Sequence, residues 1–127
     1  MAVKTKAEAV VAPRLNLSES HLVSWLALAN GDTGDPMEVP ECSDKTVQIG
    51  KTGDTFGAGT VAIEGSNDGA TWFALRSPLG TALSGIAANA IHAILENPRF
   101  IRPNLSGGAG GSMDIFIMAH RGRGRAL

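Results

Sequence analysis

The sequence predicts an all-β fold, a single sandwich or barrel of short strands, and three observations carry that expectation. Short stretches in which apolar and polar residues alternate recur along the chain. Clusters of Gly, Asn, Asp and Pro separate them, with no regular helical pattern in between. The apolar content, 43%, comes largely from Ala, Val and Ile, because aromatic residues make up only 5% and Tyr is absent. Small side chains together with 16 Gly favour thin, turn-rich layers. A length of 127 residues fits one domain with no second core.

Taken in order, residues 1–20 alternate small apolar and charged residues around Pro13, without a heptad or a clear strand. They read as an extended or flexible arm, since a helix over Lys4 to Val11 is too short to hold alone. His21 to Ala29 is apolar and admits a strand or a short helix, strand being preferred for its length and the β pattern that follows, and it ends in the turn formers Asn30-Gly-Asp-Thr-Gly-Asp-Pro36. Lys45 to Ile49 alternates, with Val47 and Ile49 on one face, and Thr60 to Glu64 does the same with Val61 and Ile63. Between them Gly50 to Gly59 is a connector around Phe56. Gly65-Ser-Asn-Asp-Gly69 is a turn, with Trp72, Phe73 and Leu75 on the returning strand.

Gly85 to Leu95 admits two readings. Ile86, Ala90, Ile91, Ile94 and Leu95 line one face of a helix, whereas the β-branched residues and the flanking strands favour β. Strand is the preferred reading. Glu96-Asn97-Pro98 breaks the chain, and a strand from Phe100 ends at Pro103 or just after Leu105, because proline cannot donate to a ladder. Gly107 to Gly111 is a flexible connector, and Met113 to Met118 is the last strand. The domain therefore spans 21–120, followed by a basic tail over 121–127.

A net charge of −1 gives no global field for nucleic acid or an acidic membrane surface. Its distribution is uneven. Gly31 to Asp44 carries Asp32, Asp35, Glu38, Glu41 and Asp44 without a base, while the tail carries Arg121, Arg123 and Arg125 without an acidic side chain. Acidic loop and basic tail are complementary between copies, and Arg14, Asp32, Asp35, Arg121, Arg123 and Arg125 are the candidate assembly contacts. Ordinary solvated surface explains the same residues, since exposed ion pairs are weak. The lone Cys42 excludes an internal disulfide framework and any zinc site made from several thiolates. Neither a signal-peptide core nor a run long enough for a membrane helix is present, so a soluble chain made in a reducing cytoplasm is expected.

Catalytic patterns are thin. His21, His92 and His120 lie far apart, with none of the metal-binding or hydrolytic His spacings. Cys42 stands among acids, which blunts a nucleophile. The glycine run 107–111 leads into a strand and not a helix, so no helix dipole faces an anion there. Asp32-Thr33-Gly34-Asp35 is a minimal calcium possibility without EF-hand spacing. No enzyme activity, cofactor or metal is expected.

One local motif is more specific. Val61-Ala-Ile-Glu-Gly-Ser-Asn-Asp-Gly-Ala-Thr-Trp72 is similar to the Asp-box of sialidase-like propellers, but it lacks one residue between Asp68 and Gly69 and occurs once. It more closely resembles the hairpin of discoidin-like and galactose-binding-like β-sandwiches, with Arg99-Phe-Ile-Arg102 matching their aromatic-aliphatic-Arg strand. In that hairpin Gly65, Ser66, Asn67, Asp68 and Gly69 make the turn, and Trp72 is expected to pack back on Val61 and Ile63.

Across residues 25–120 the chain resembles small virion structural proteins of tailed phages. The resemblance rests on Trp25 with Asn30-Gly-Asp-Thr-Gly34, Ser43-Asp-Lys-Thr-Val-Gln48, Ile63-Glu-Gly-Ser-Asn-Asp-Gly69 with Trp72, and Glu96-Asn-Pro-Arg-Phe-Ile-Arg-Pro103 with Gly107-Gly108. It implies a β-sandwich or jelly-roll-like fold and a decoration or cement role on an assembled capsid, with the chain as a dimer or trimer bridging major capsid subunits. It also admits a place in the tail or connector. A carbohydrate-binding sandwich is the alternative of a different class, although two Trp and no Tyr equip it poorly for glycans.

Overall fold

The computed structural model describes residues 3–11, 20–38 and 40–120, and every regular element among them is a strand. One sheet has the order β2-β3-β10-β5-β8, built from Lys6–Val11, Ser20–Ala29, Ser112–His120, Asp44–Ile49 and Ala90–Ile94. The other has the order β1-β4-β9-β6-β7, built from Val3–Lys4, Thr33–Gly34, Phe100–Ser106, Thr60–Ser66 and Phe73–Ala74. Number the eight strands from β3 to β10 as first to eighth. The sheets then read first-eighth-third-sixth and second-seventh-fourth-fifth, the strand order of a jelly roll. β1 and β2 are added at one edge of each sheet, and β1 with β4 is the sole parallel pair among the described residues.

Alternation puts one set of side chains between the sheets. In β10, Met113, Ile115, Ile117 and Ala119 are fully buried, and Asp114, Phe116, Met118 and His120 point outward. Val23, Trp25, Val47 and Ile49 join them from the same sheet, facing Val61, Ile63, Ile101 and Leu105 from the other. The Trp25 ring is completely enclosed, and its indole N–H donates to the Asp35 carbonyl at 2.9 Å, so its polar atom is satisfied inside the core.

The strand reading of 85–95 holds. Ile86 makes a bridge to Val61, and β8 then pairs with β5, so Ile94 turns inward and Ile91 outward. Grouping the apolar residues on one helical face fails because they belong to two different contacts.

One expectation is corrected here. The segment 3–11 is extended, as expected, but it is not a free arm: β2 pairs along β3 from Lys6↔Trp25 to Val11↔Ser20. Its short, small side chains suit an edge, and Lys6 ties back to Asp35 at 2.9 Å. Residues 12–19, Arg14 among them, and the tail 121–127 lie outside the described residues.

Of the two ends expected for the strand from Phe100, the later one is found: β9 runs through Pro103 to Ser106, just after Leu105. The amides of Ile101 and Leu105 donate towards Met37 and Asp32, so Pro103 would donate to the same side. There it meets Gly34, whose α-carbon packs against the proline ring and the Trp25 indole. Because β4 is two residues long, no ladder bond is demanded at that place. A Cβ on Gly34 would stand 2.6 Å from Trp25 Nε1, so only glycine allows this approach.

Candidate functional site: two contrasting sheet faces

The outer faces of the two sheets differ in chemistry. On the β2-β3-β10-β5-β8 sheet, register aligns Ala9, Leu22, Met118, Thr46 and Ala93 in one row across the strands. The adjoining row is Ala7, Ser24, Phe116, Gln48 and Ile91. Neither row contains a charge. Phe116, Met118 and Leu22 are half-buried, and Ile91 at the β8 edge is 67% exposed. Charged side chains return only at the ends, with Asp44 on one side and Asp114 beside Lys51 on the other, at 3.1 Å.

The outer face of the other sheet is stitched by charge. Glu64 and Arg102 are directly opposed on β6 and β9 and form an ion pair at 3.0 Å, with Asn104 donating to the second Glu64 oxygen at 3.3 Å. The Arg102 guanidinium lies 4.1 Å from the centre of the Trp72 ring. This stack places Trp72 on the outer face, half-buried. The expectation that Trp72 packs on Val61 and Ile63 is therefore corrected: those two residues point inward, and Leu75 takes the place beside them, its N–H donating to the Ile63 carbonyl at 2.8 Å. The cause is parity, since Trp72 stands an odd number of residues from Leu75 and so falls on the opposite face.

The 65–69 turn works as the residue types suggest, with a different division of labour. Asp68 Oδ1 accepts from the Ala70 and Thr71 amides and from the Ser66 hydroxyl, each at 2.8 Å. These bonds, that of Thr71 foremost, hold the Asp68 carboxyl well below the usual carboxylate range. Ser66 Oγ accepts from the Gly69 amide at 2.9 Å, and Gly69 takes the left-handed φ of +79°. Asn67 reaches outside the turn, its Oδ1 accepting from the Arg99 amide at 2.9 Å. Gly65 gives the close approach of Leu75 and Pro98 to the sheet. A groove of about 680 Å³ runs from this turn past Phe73 to Arg76, Glu96 and Pro98.

The acidic loop is mostly consumed within the chain. Asp32 is buried and accepts from the Ala29 amide at 3.0 Å, so it shapes the β3–β4 turn and is not offered to a partner. Asp35 is paired with Lys6, and Glu38 with Arg99 at 2.7 Å. The calcium possibility at 32–35 is not assembled, because these two carboxylates serve different partners. Arg121, Arg123 and Arg125, like Arg14, fall outside the described residues.

Sequence reasoning missed two groupings. One is the uncharged face, whose signal, neutral outward residues on five strands, is readable only once register is known. The other is His21, Glu41 and Cys42, whose ligating atoms all lie within 4.8 Å of one another although no motif spacing links them. Compared with known proteins, the chain matches no family model and no curated sequence.

Proposed function

We propose that this chain is a structural module of a tailed-phage particle, a head decoration or cement protein that assembles with its own copies and bridges major capsid subunits. The observation that carries the reading is the uncharged outer face of the β2-β3-β10-β5-β8 sheet. A surface without charge meets a second copy of itself without setting like charges against each other, as a two-fold interface requires. The opposite face, with Glu64 and Arg102 fixed in place, is less suited to that. The residues of the two rows form the apolar centre of such a contact, which in stable complexes involves roughly 20–30 residues a side. Stabilisation of the particle is then passive, since a protein that binds only the assembled lattice shifts the equilibrium towards it. The resemblance across residues 25–120 and the jelly-roll strand order support the same class, and a tail or connector position fits these features too.

The test uses two exposed positions on this face, Ile91 and Thr46. Ile91→Glu with Thr46→Glu should leave the monomer folded by circular dichroism while abolishing the oligomer in light scattering and emptying particles of the protein. Full occupancy and an unchanged oligomer in the double variant refute the proposal.

One observation favours the carbohydrate-binding reading: Trp72 is held flat by Arg102 on an outer face, with Phe73 beside it 68% exposed. A glycan array with the wild type and Trp72→Ala distinguishes it, because a sugar stacked on the free side of the ring loses its platform in the variant.

A further inference from the structure

At one end of the sandwich the β4–β5 connection crosses the beginning of β3. Glu41 and Cys42 from the connection meet His21 of β3 there, with His21 Nε2 3.7 Å from a Glu41 carboxylate oxygen. The His, Glu and Cys ligand atoms are all within 4.8 Å of one another. We propose that His21, Glu41 and Cys42 form a binding site for a single divalent cation of the zinc class.

The donor set selects that class. A thiolate with an imidazole suits zinc, whereas calcium and magnesium take oxygen ligands alone. Tetrahedral zinc, with bonds of about 2.0–2.3 Å, places its ligand atoms roughly 3.4–3.7 Å apart. His21 and Glu41, at 3.7 Å, already stand at that spacing, no pair in the group exceeds 4.8 Å, and the remaining adjustment falls on Glu41, an exposed side chain, and on His21, which is half-buried. Cys42 is 1% exposed and supplies the fixed point. Three protein ligands leave a fourth position for water.

The surroundings are mixed in sign. Lys45 is buried below the site, its Nζ donating to the Cys42 carbonyl at 3.1 Å and to Asn97 Oδ1. Its ammonium opposes a cation directly but favours the thiolate that a metal needs. With thiolate and carboxylate both ionised, a divalent ion is neutralised by its own ligands. Its mechanical effect is to fasten the acidic connection to β3 and close that end of the core.

Cobalt(II) and zinc titrations of the full chain test this. One equivalent of cobalt should produce a sulfur-to-cobalt charge-transfer band that zinc displaces, and saturating zinc should raise Tm by several degrees. Cys42→Ser should remove the band, and Glu41→Gln, at an exposed position that folding does not depend on, should weaken binding at least about 10-fold. His92→Gln, on β8 and outside the group, should change nothing. Absence of the band in the folded wild type, or full affinity in Glu41→Gln, overturns the site.

Discussion

The carboxylate of Asp114 on β10 accepts the backbone N–H of Ala27 on β3 at 2.9 Å. Ala27 lies where the register between the two strands slips, between Met113↔Leu28 and Ile115↔Trp25, so Leu26 and Ala27 together oppose Asp114. The bulge places Ala27 at a φ of +56°, the only non-glycine residue with positive φ among those described. Asp114 thus takes up the donor that the bulge frees, and Asp54 accepts the Asp114 amide in turn at 2.9 Å.

Asp114→Ala should destabilise the fold by about 0.5–1.5 kcal/mol, the net worth of a hydrogen bond whose donor water can reach. Ala27→Gly should stabilise it by about 0.5–1 kcal/mol. Relief of the left-handed strain outweighs the extra freedom that glycine gives the unfolded chain. Urea unfolding of both variants measures the two signs, and a destabilising Ala27→Gly counts against the bulge.

The two tryptophans should respond unequally. Trp25→Ala removes a fully enclosed ring and should cost about 3–5 kcal/mol. Trp72→Ala removes a half-buried ring stacked on Arg102 and should cost only about 0.5–2 kcal/mol. Denaturant midpoints separate them, and equal losses contradict the placement of Trp72 on the outer face.

Gly34→Ala should cost about 1–3 kcal/mol, as overpacking against Pro103 and the Trp25 indole. Pairing it with Pro103→Ala, which vacates the ring, should recover part of that loss. Additive losses in the double-mutant cycle contradict the contact.

Acid should find the turn at Asp68. Its carboxyl pKa is depressed below the ordinary 3.8 in the folded chain, so its stabilising contribution is complete above that value and fades as pH falls below it. Asp68→Asn should therefore lower Tm near neutral pH, and its Tm should fall less steeply than that of the wild type between pH 4 and pH 2, a window taken from the roughly 3.9 reference of a free Asp. Parallel Tm curves for the two proteins contradict the turn network.

Much of the fold was legible because strands advertise themselves two residues at a time. Val47 with Ile49, Val61 with Ile63, and Met113 with Ile115 and Ile117 all point inward as their spacing implies. Pro103 leaves the end of its strand open between two places in the sequence, because the rule against proline in a sheet depends on which neighbour the missing N–H faces. The 3–11 segment was unreadable for a related reason: Ala7 and Ala9 carry no periodic apolar signal, and their pairing is supplied by the exposed edge of β3. The side of the sheet that Trp72 takes follows from its parity with Leu75. The acidic loop looked available because sequence shows charge but not the partners Lys6, Arg99 and the Ala29 amide.

The strand order sets the timetable of folding. β3 and β10 lie side by side at the middle of one sheet, and their paired ends, Ser20 and His120, are separated by 100 positions. Closing a loop of that length costs about 4 kcal/mol of chain entropy before any contact compensates it. β10 also fills the gap between β3 and β5, so until it arrives both strands present bare edges lined with Val23, Trp25, Val47 and Ile49. Since β10 follows every other described strand along the chain, a nascent chain holds those edges uncovered until Ser112–His120 has emerged. Such a topology folds slowly, and chains cut short before Ser112 lack the strand that covers both edges and are prone to aggregate.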